Sequence, residues 1–197
     1  MNTKTLTLIV VLLVILLFGG CACGRYNSLV TTDQSVKSTW GNVETQYQRR
    51  NDLYNSIIHT IEGSANFEKS TLKEVIAARA SATQVKVNIN DSASLGQFQR
   101  AQANLQGSFA RLMAVAEAYP ELKTTQQFQD FQTNIAGTEN RINNSRREFN
   151  DAVNKYNLQV KTFPNNIFSG LFGFREKPYY KSDPGSENAP DIHFEIK

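Results

Sequence analysis

The residues of this chain that could do chemistry are few, and arginines stand out among them. Arg49-Arg50, Arg79 and Arg146-Arg147 fall within or beside apolar runs, as do Glu117 and Glu139. Arginine cannot give up its proton, so on a helix it binds anions, pairs with carboxylates or reaches for water. Histidine, the usual proton carrier, occurs only at His59 and His193, too far apart in sequence to suggest a pair. No Gly-rich phosphate loop follows a strand pattern, and no Ser or Thr belongs to a nucleophile motif. Cysteine is confined to Cys21 and Cys23, which leaves no thiolate metal set and no disulfide frame for the body of the chain. These absences lead to an expectation of no enzymatic activity, no metal, no cofactor and no small-molecule substrate.

The elements that must position these charges are long helices. Val36, Trp40, Val43, Tyr47, Tyr54, Ile57 and Ile61 recur in steps of three, four and seven, the stripe of a helix packed on other helices. Arg50 fills the slot skipped between Tyr47 and Tyr54. A second helix is predicted over about Ala65–Ile89, with Leu72, Val75, Ala82 and Ile89 on one face and Arg79 in the same stripe. Asn90-Asp91-Ser92 supplies a turn and cap before a third helix carrying Leu95, Phe98, Leu105, Phe109, Leu112 and Ala116. Tyr119-Pro120 ends it. Thr124 with Gln127 reads as a capping box for a fourth helix, whose stripe is Phe128, Phe131, Ile135, Ile142, Phe149, Val153, Tyr156, Val160 and Phe163. The first helix is expected to open at an Asp33 or Ser35 cap, after a lead-in at Tyr26–Val30.

The fold class expected is all-α: an antiparallel, up-and-down bundle of about four long helices, with Trp40, Tyr47, Phe128 and Phe149 as core anchors. Inside it, Arg50 and Arg79 are expected to form a polar seam with Glu117 or Glu139, because a buried guanidinium needs acceptors. The alternatives are a charge that snorkels to solvent and an anion or headgroup site.

Residues 1–25 form a targeting or anchoring segment. Lys4 precedes the apolar run Leu6–Phe18, and no charge occurs from Thr5 to Gly24. The run has the length of a signal-peptide core, and the whole uncharged window just reaches a bilayer span. Leu17-Phe18-Gly19-Gly20-Cys21 is also similar to a bacterial lipobox, which would make Cys21 a lipidation site. Both an uncleaved anchor and a lipid-bearing Cys21 stay open. Residues 26–164 are assigned to the bundle, and 165–197 to an irregular tail rich in Phe and Gly. From Gly185 that tail is expected to be disordered. The net charge of +3 is too small for a nucleic-acid surface.

Several segments, in order, resemble the LemA family: Tyr26–Val30, Val36, Trp40, Val43, Gln46–Arg50 with Asp52-Leu53, then Leu72, Val75 and Ala78-Arg79. Glu117–Lys123, Glu139, Ile142, Arg146, Phe149-Asn150, Val153, Tyr156-Asn157, Phe163-Pro164 and Gly173-Phe174 continue the likeness. The resemblance implies a helical bundle on a short N-terminal membrane anchor in a bacterium. The chain departs from the family pattern at Tyr54-Asn55-Ser56, where a proline is usual, so a straighter first helix is expected. Two functions follow. The first is a scaffold at the bacterial cell membrane, its bundle outside the cytoplasm, binding another envelope protein. The second is a protein that senses or shapes lipid through its anchor and aromatic tail.

Overall fold

The computed structural model describes residues 3–63 and 68–181. Within its first helix the side chains of residues 10, 14, 15, 17–19 and 21 lie outside the described set, and with them the side chain of Cys21. Residues 182–197 also lie outside it, including His193 and the segment from Gly185. The described residues hold six helices and no strand: α1 Thr3–Glu62, α2 Lys69–Gln84, α3 Ser92–Ala116, α4 Pro120–Lys123, α5 Gln126–Lys161 and α6 Asn165–Phe172. All regular structure among the described residues is therefore helical, with α4 and α6 added to the long helices read from the sequence.

α1 is continuous where a start near Asp33 was expected. Nothing between Thr3 and Glu62 breaks a helix, there being no proline before Pro120. Asp33 therefore caps nothing, and its carboxylate meets Lys37 and Lys177 instead. The buried stripe begins a heptad earlier than read, at Leu29. α2 stops at Gln84, short of Ile89, because Val85-Lys86-Val87-Asn88-Ile89 alternates half-buried β-branched with exposed polar residues. That period of two and the stiffness of Val and Ile favour extended backbone over another helical turn. Asp91 caps α3 as expected, accepting from the Ala93 and Ser94 amides at 2.9 and 3.3 Å. At the start of α5 the cap is Thr125, one residue later than read. Its Oγ1 accepts from the Phe128 amide at 3.4 Å and donates to the Leu122 carbonyl at 2.7 Å. The front of the tail, read as irregular, forms α6, and residues 174–181 follow without regular structure.

The chain divides into two compact units. One comprises Met1–Tyr47 and Asn140–Tyr179. Its core is built from Leu29, Val36, Trp40 and Val43 of α1 with Phe149, Val153 and Tyr156 of α5, and Phe168 of α6 joins the buried set. Trp40 meets Phe149 edge-on, ring centroids 5.3 Å apart. The other comprises Gln48–Glu139 and Tyr180–Lys197. There Tyr54, Ile57 and Ile61 of α1 pack with Val75 of α2, Leu105, Phe109 and Leu112 of α3, and Phe128 and Phe131 of α5. Tyr54 stacks on Phe109 at 3.8 Å, and Phe131 lies 5.1 Å from Phe109, so one aromatic layer ties α1, α3 and α5.

Candidate functional site

Arg50 is fully buried, 0% exposed. Its Nη2 donates to Gln102 Oε1 at 2.6 Å, and its Nη1 donates to Glu139 Oε1 at 3.4 Å. The guanidinium carbon stands 5.9 Å from the centre of the Tyr54 ring. The nearer acceptor is thus a neutral, buried amide oxygen, and the carboxylate is more distant and about a third exposed. A hydrogen bond to a charged group is strengthened by low dielectric, whereas an ion pair open to water is screened. Gln102 therefore contributes more to holding Arg50 than Glu139 does.

The seam differs from the expected set in two members. Glu117 sits just past the end of α3, exposed, with Lys123 as its partner at 2.5 Å. It is removed from Arg50 because it lies about 22 Å along the helix axis, at 1.5 Å per residue, from Gln102, the α3 residue that meets Arg50. Arg79 is half-buried on α2, and its Nε has no hydrogen-bond partner among the described residues. Gln102, which sequence reading passed over, carries the same signal as Arg50. It fills the slot four after Phe98 and three before Leu105 in the α3 stripe. Thr138, buried, occupies the matching gap between Ile135 and Ile142 on α5 and donates to the Asn134 carbonyl.

Burial pushes the Tyr54 phenol up to about 12. The Arg50 charge opposes that shift and Glu139 adds to it, so the ring stays neutral at ordinary pH. The cluster joins Arg50 to Gln102, to Glu139 and to the neutral ring of Tyr54. What it can do is hold one charge in the core and fix how three helices meet.

The other unit has its own buried polar set. Arg146 Nε donates to the Tyr47 hydroxyl at 3.0 Å, with the guanidinium 5.6 Å from the Tyr47 ring centre. Lys177, 5% exposed, pairs with Asp33 at 2.9 Å and lies 5.1 Å from the Tyr156 ring. Asn157 Nδ2 donates to the Lys177 carbonyl, and the Lys177 amide donates to Asn157 Oδ1, both at 2.9 Å. These bonds hold the segment around Lys177 on α5. Burial raises the Asp33 pKa, but the hydrogen bonds and charges of Lys37 and Lys177 outweigh it and hold the carboxyl below its ordinary value. Burial, with the Asp33 charge adding to it, pushes the Tyr156 phenol up to about 12.

His59 Nδ1 lies 3.0 Å from Glu62 in an exposed pair one turn apart. Among the described residues no group of three His, Cys, Asp or Glu side chains is placed to hold a metal. An open cleft of about 670 Å³ runs between α2 and α3, floored by Ala78, Ala101 and Gly107 and flanked by Glu74, Arg100 and Arg111. Among the described residues no helix is long and apolar enough to cross a membrane.

Three relatives share low but extended similarity. Magnetosome protein MamQ 2 of Paramagnetospirillum magneticum is 22% identical over 83% of this chain and 67% of its own length. Magnetosome protein MamQ of Magnetospirillum gryphiswaldense is 22% identical, covering 87% and 71%. Protein LemA of Metamycoplasma hominis is 23% identical, covering 71% of this chain and 61% of its own. The LemA family model matches residues 39–194, which hold the Arg50 cluster and, of the second polar set, Tyr47, Arg146, Asn157 and Lys177 but not Asp33, and the chain belongs to the LemA family.

Proposed function

We propose that this LemA-family chain is a non-enzymatic scaffold, held at the bacterial membrane by its N-terminal segment, whose bundle binds another protein of the cell envelope. The observation that carries this reading is the continuity of α1. Near its start the helix exposes Leu6, Leu8, Ile9, Val11, Leu12, Leu13 and Leu16, and further on it buries the stripe from Leu29 to Ile61. A helix that is apolar all round needs a non-aqueous surrounding, whereas a one-sided stripe needs helical neighbours. One element thus joins an anchor to a folded body. Attachment is through the apolar run Leu6–Phe18 itself or through a lipid on Cys21, with the body outside the cytoplasm. The polar clusters are engaged inside the two units, which leaves recognition to the surface, where the α2–α3 cleft offers an open recess.

The test is photo-crosslinking in intact cells, using the full chain with a photoreactive residue at exposed Ala103 in the cleft or at exposed Lys155 on α5. The reading predicts a discrete adduct from Ala103 to one envelope protein, which stays with the chain through detergent purification at fixed stoichiometry. Adducts to lipid alone from both positions, or none from either, would contradict it.

A further inference from the structure

The short helix α6 has two unlike faces. Phe168 and Ser169 are buried, and Ser169 Oγ donates to the Val160 carbonyl at 2.9 Å and the Asn166 carbonyl at 3.1 Å. Those bonds set the roll of α6 against the end of α5. The opposite face presents Ile167 at 55% and Leu171 at 73% exposure, four residues apart on one line of the helix. Phe163, just ahead of α6, is 81% exposed, and Phe172 at its end is 38%. No charged residue lies between Thr162 and Phe174. One exposed apolar residue on a surface means little, but a continuous uncharged apolar line marks a surface that something covers.

Its position in the unit indicates what covers it. Phe172 and Phe174 pack edge-on against Tyr26 of α1, with ring centroids 5.1 and 5.9 Å away. Tyr26 follows the end of the apolar run at Phe18 by roughly 12 Å, at 1.5 Å per helical residue. The apolar line of α6 therefore sits beside the stretch of α1 where the anchor gives way to the folded body. Aromatic rings at that level and two exposed arginines, Arg25 and Arg175, are the composition of a membrane–water boundary. We propose that α6 is an interfacial helix, and that Phe163, Ile167 and Leu171 enter the headgroup–acyl boundary of the bilayer as a second attachment beside the N-terminal segment. This rests on the anchored reading above and adds a contact that the anchor alone does not require.

The experiment places the full chain in vesicles of phosphatidylcholine and phosphatidylglycerol whose acyl chains are brominated, and reads tryptophan quenching. Leu171→Trp reports on α6 and Leu12→Trp on the N-terminal segment, while the unsubstituted chain, whose one tryptophan is buried Trp40, serves as the control. Both leucines are exposed, so both variants should fold, which circular dichroism checks. The proposal predicts that Leu171→Trp and Leu12→Trp both lose more intensity to the brominated lipid than the unsubstituted chain does. It also predicts a blue-shifted emission maximum for Leu171→Trp relative to detergent-free buffer. Quenching of Leu12→Trp without quenching of Leu171→Trp would overturn the α6 contact while leaving the anchor standing. A Leu171→Trp signal that is blue-shifted yet unquenched, with intermolecular crosslinks, would assign that face to a second copy and overturn it as well. Quenching of neither variant would remove the anchored reading and the proposal together.

Discussion

Two charged residues, Asp33 and Arg50, occupy the same kind of slot on one helix and are satisfied in different ways. In α1 the buried or near-buried positions run Leu29, Asp33, Val36, Trp40, Val43, Tyr47, Arg50, Tyr54, Ile57 and Ile61, with alternate steps of four and three. Asp33 lies in the unit that holds Met1–Tyr47, and Arg50 in the unit that begins at Gln48. Arg50 is answered by side chains of other helices, Gln102 on α3 and Glu139 on α5. Asp33 is answered by Lys37, one turn on along α1, and by Lys177, from a segment with no regular structure. A heptad rhythm thus exposes both charges to view but names a partner only where the partner obeys a rhythm too.

Breaking the apolar seam around these charges should have the largest effect. Trp40 is 5% exposed against Phe149 in the Asp33 unit, and Trp40→Ala should cost about 3–5 kcal/mol of unfolding free energy. Denaturant titration checks it, and a loss below about 1 kcal/mol would mean that this unit adds little to the cooperative core.

In the Arg50 unit, Gln102→Leu removes the nearest acceptor of a charge that cannot be neutralised. The expected cost is about 2–3 kcal/mol, the upper range for a hydrogen bond to a charged group. Glu139→Gln keeps an acceptor at a position about a third open to water, so it should cost roughly 1 kcal/mol or less. The reverse order in thermal or denaturant midpoints would mean that the carboxylate, not the amide, holds Arg50.

Lys177→Met should cost less than Gln102→Leu, about 1–2 kcal/mol. Asp33 keeps Lys37 at 2.8 Å, and the two backbone bonds to Asn157 still hold the segment. Hydrogen exchange at the Lys177 amide should accordingly stay slow in this variant and become fast in Asn157→Ala.

The smallest expected effect is a dependence on acid. The Asp33 carboxyl binds its proton less readily in the folded chain than its ordinary value of 3.8 describes. Its contribution is then complete above that ordinary value and fades as pH falls below it, through the lower folded value. Lys177→Met should shrink this acid-linked loss, whereas Gln102→Leu should leave it unchanged.

Much of the fold was legible because its signals are periodic. The stripe of α3 lists buried residues, and that of α5 does so up to Val160 except for half-buried Ile135; Phe163, read as its last member, lies past the end of α5 before Pro164 and is exposed. Asp91 was readable as a cap from its place before an apolar run. Boundaries were harder where local preference competed with the stripe. The β-branched alternation after Gln84 cuts α2 short, and an uninterrupted α1 leaves Asp33 no cap to make. The candidate site was half legible. Arg50 and Glu139 follow from charges at seam slots, and Gln102 would have followed had polar uncharged gap residues been weighed alike. Lys177 has no such signal, since Phe174–Lys181 carries no period and its burial depends on Asn157 from twenty residues earlier. Nor does composition separate the aromatic residues of α6 that are buried, such as Phe168, from exposed Leu171.

The central claim is that the Arg50 cluster serves the architecture of its unit, while recognition belongs to the exposed surfaces. The double variant Arg50→Leu with Gln102→Leu tests it most directly, measured for stability and for the Ala103 crosslink in cells. Replacing both buried polar partners by apolar groups leaves only Glu139 without its cation, at a position about a third open to water, so stability close to that of the unsubstituted chain and an intact crosslink are predicted. Each single substitution should be less stable than the double. A double variant that folds with unchanged stability yet forms no crosslink would contradict the account and assign Arg50 to recognition.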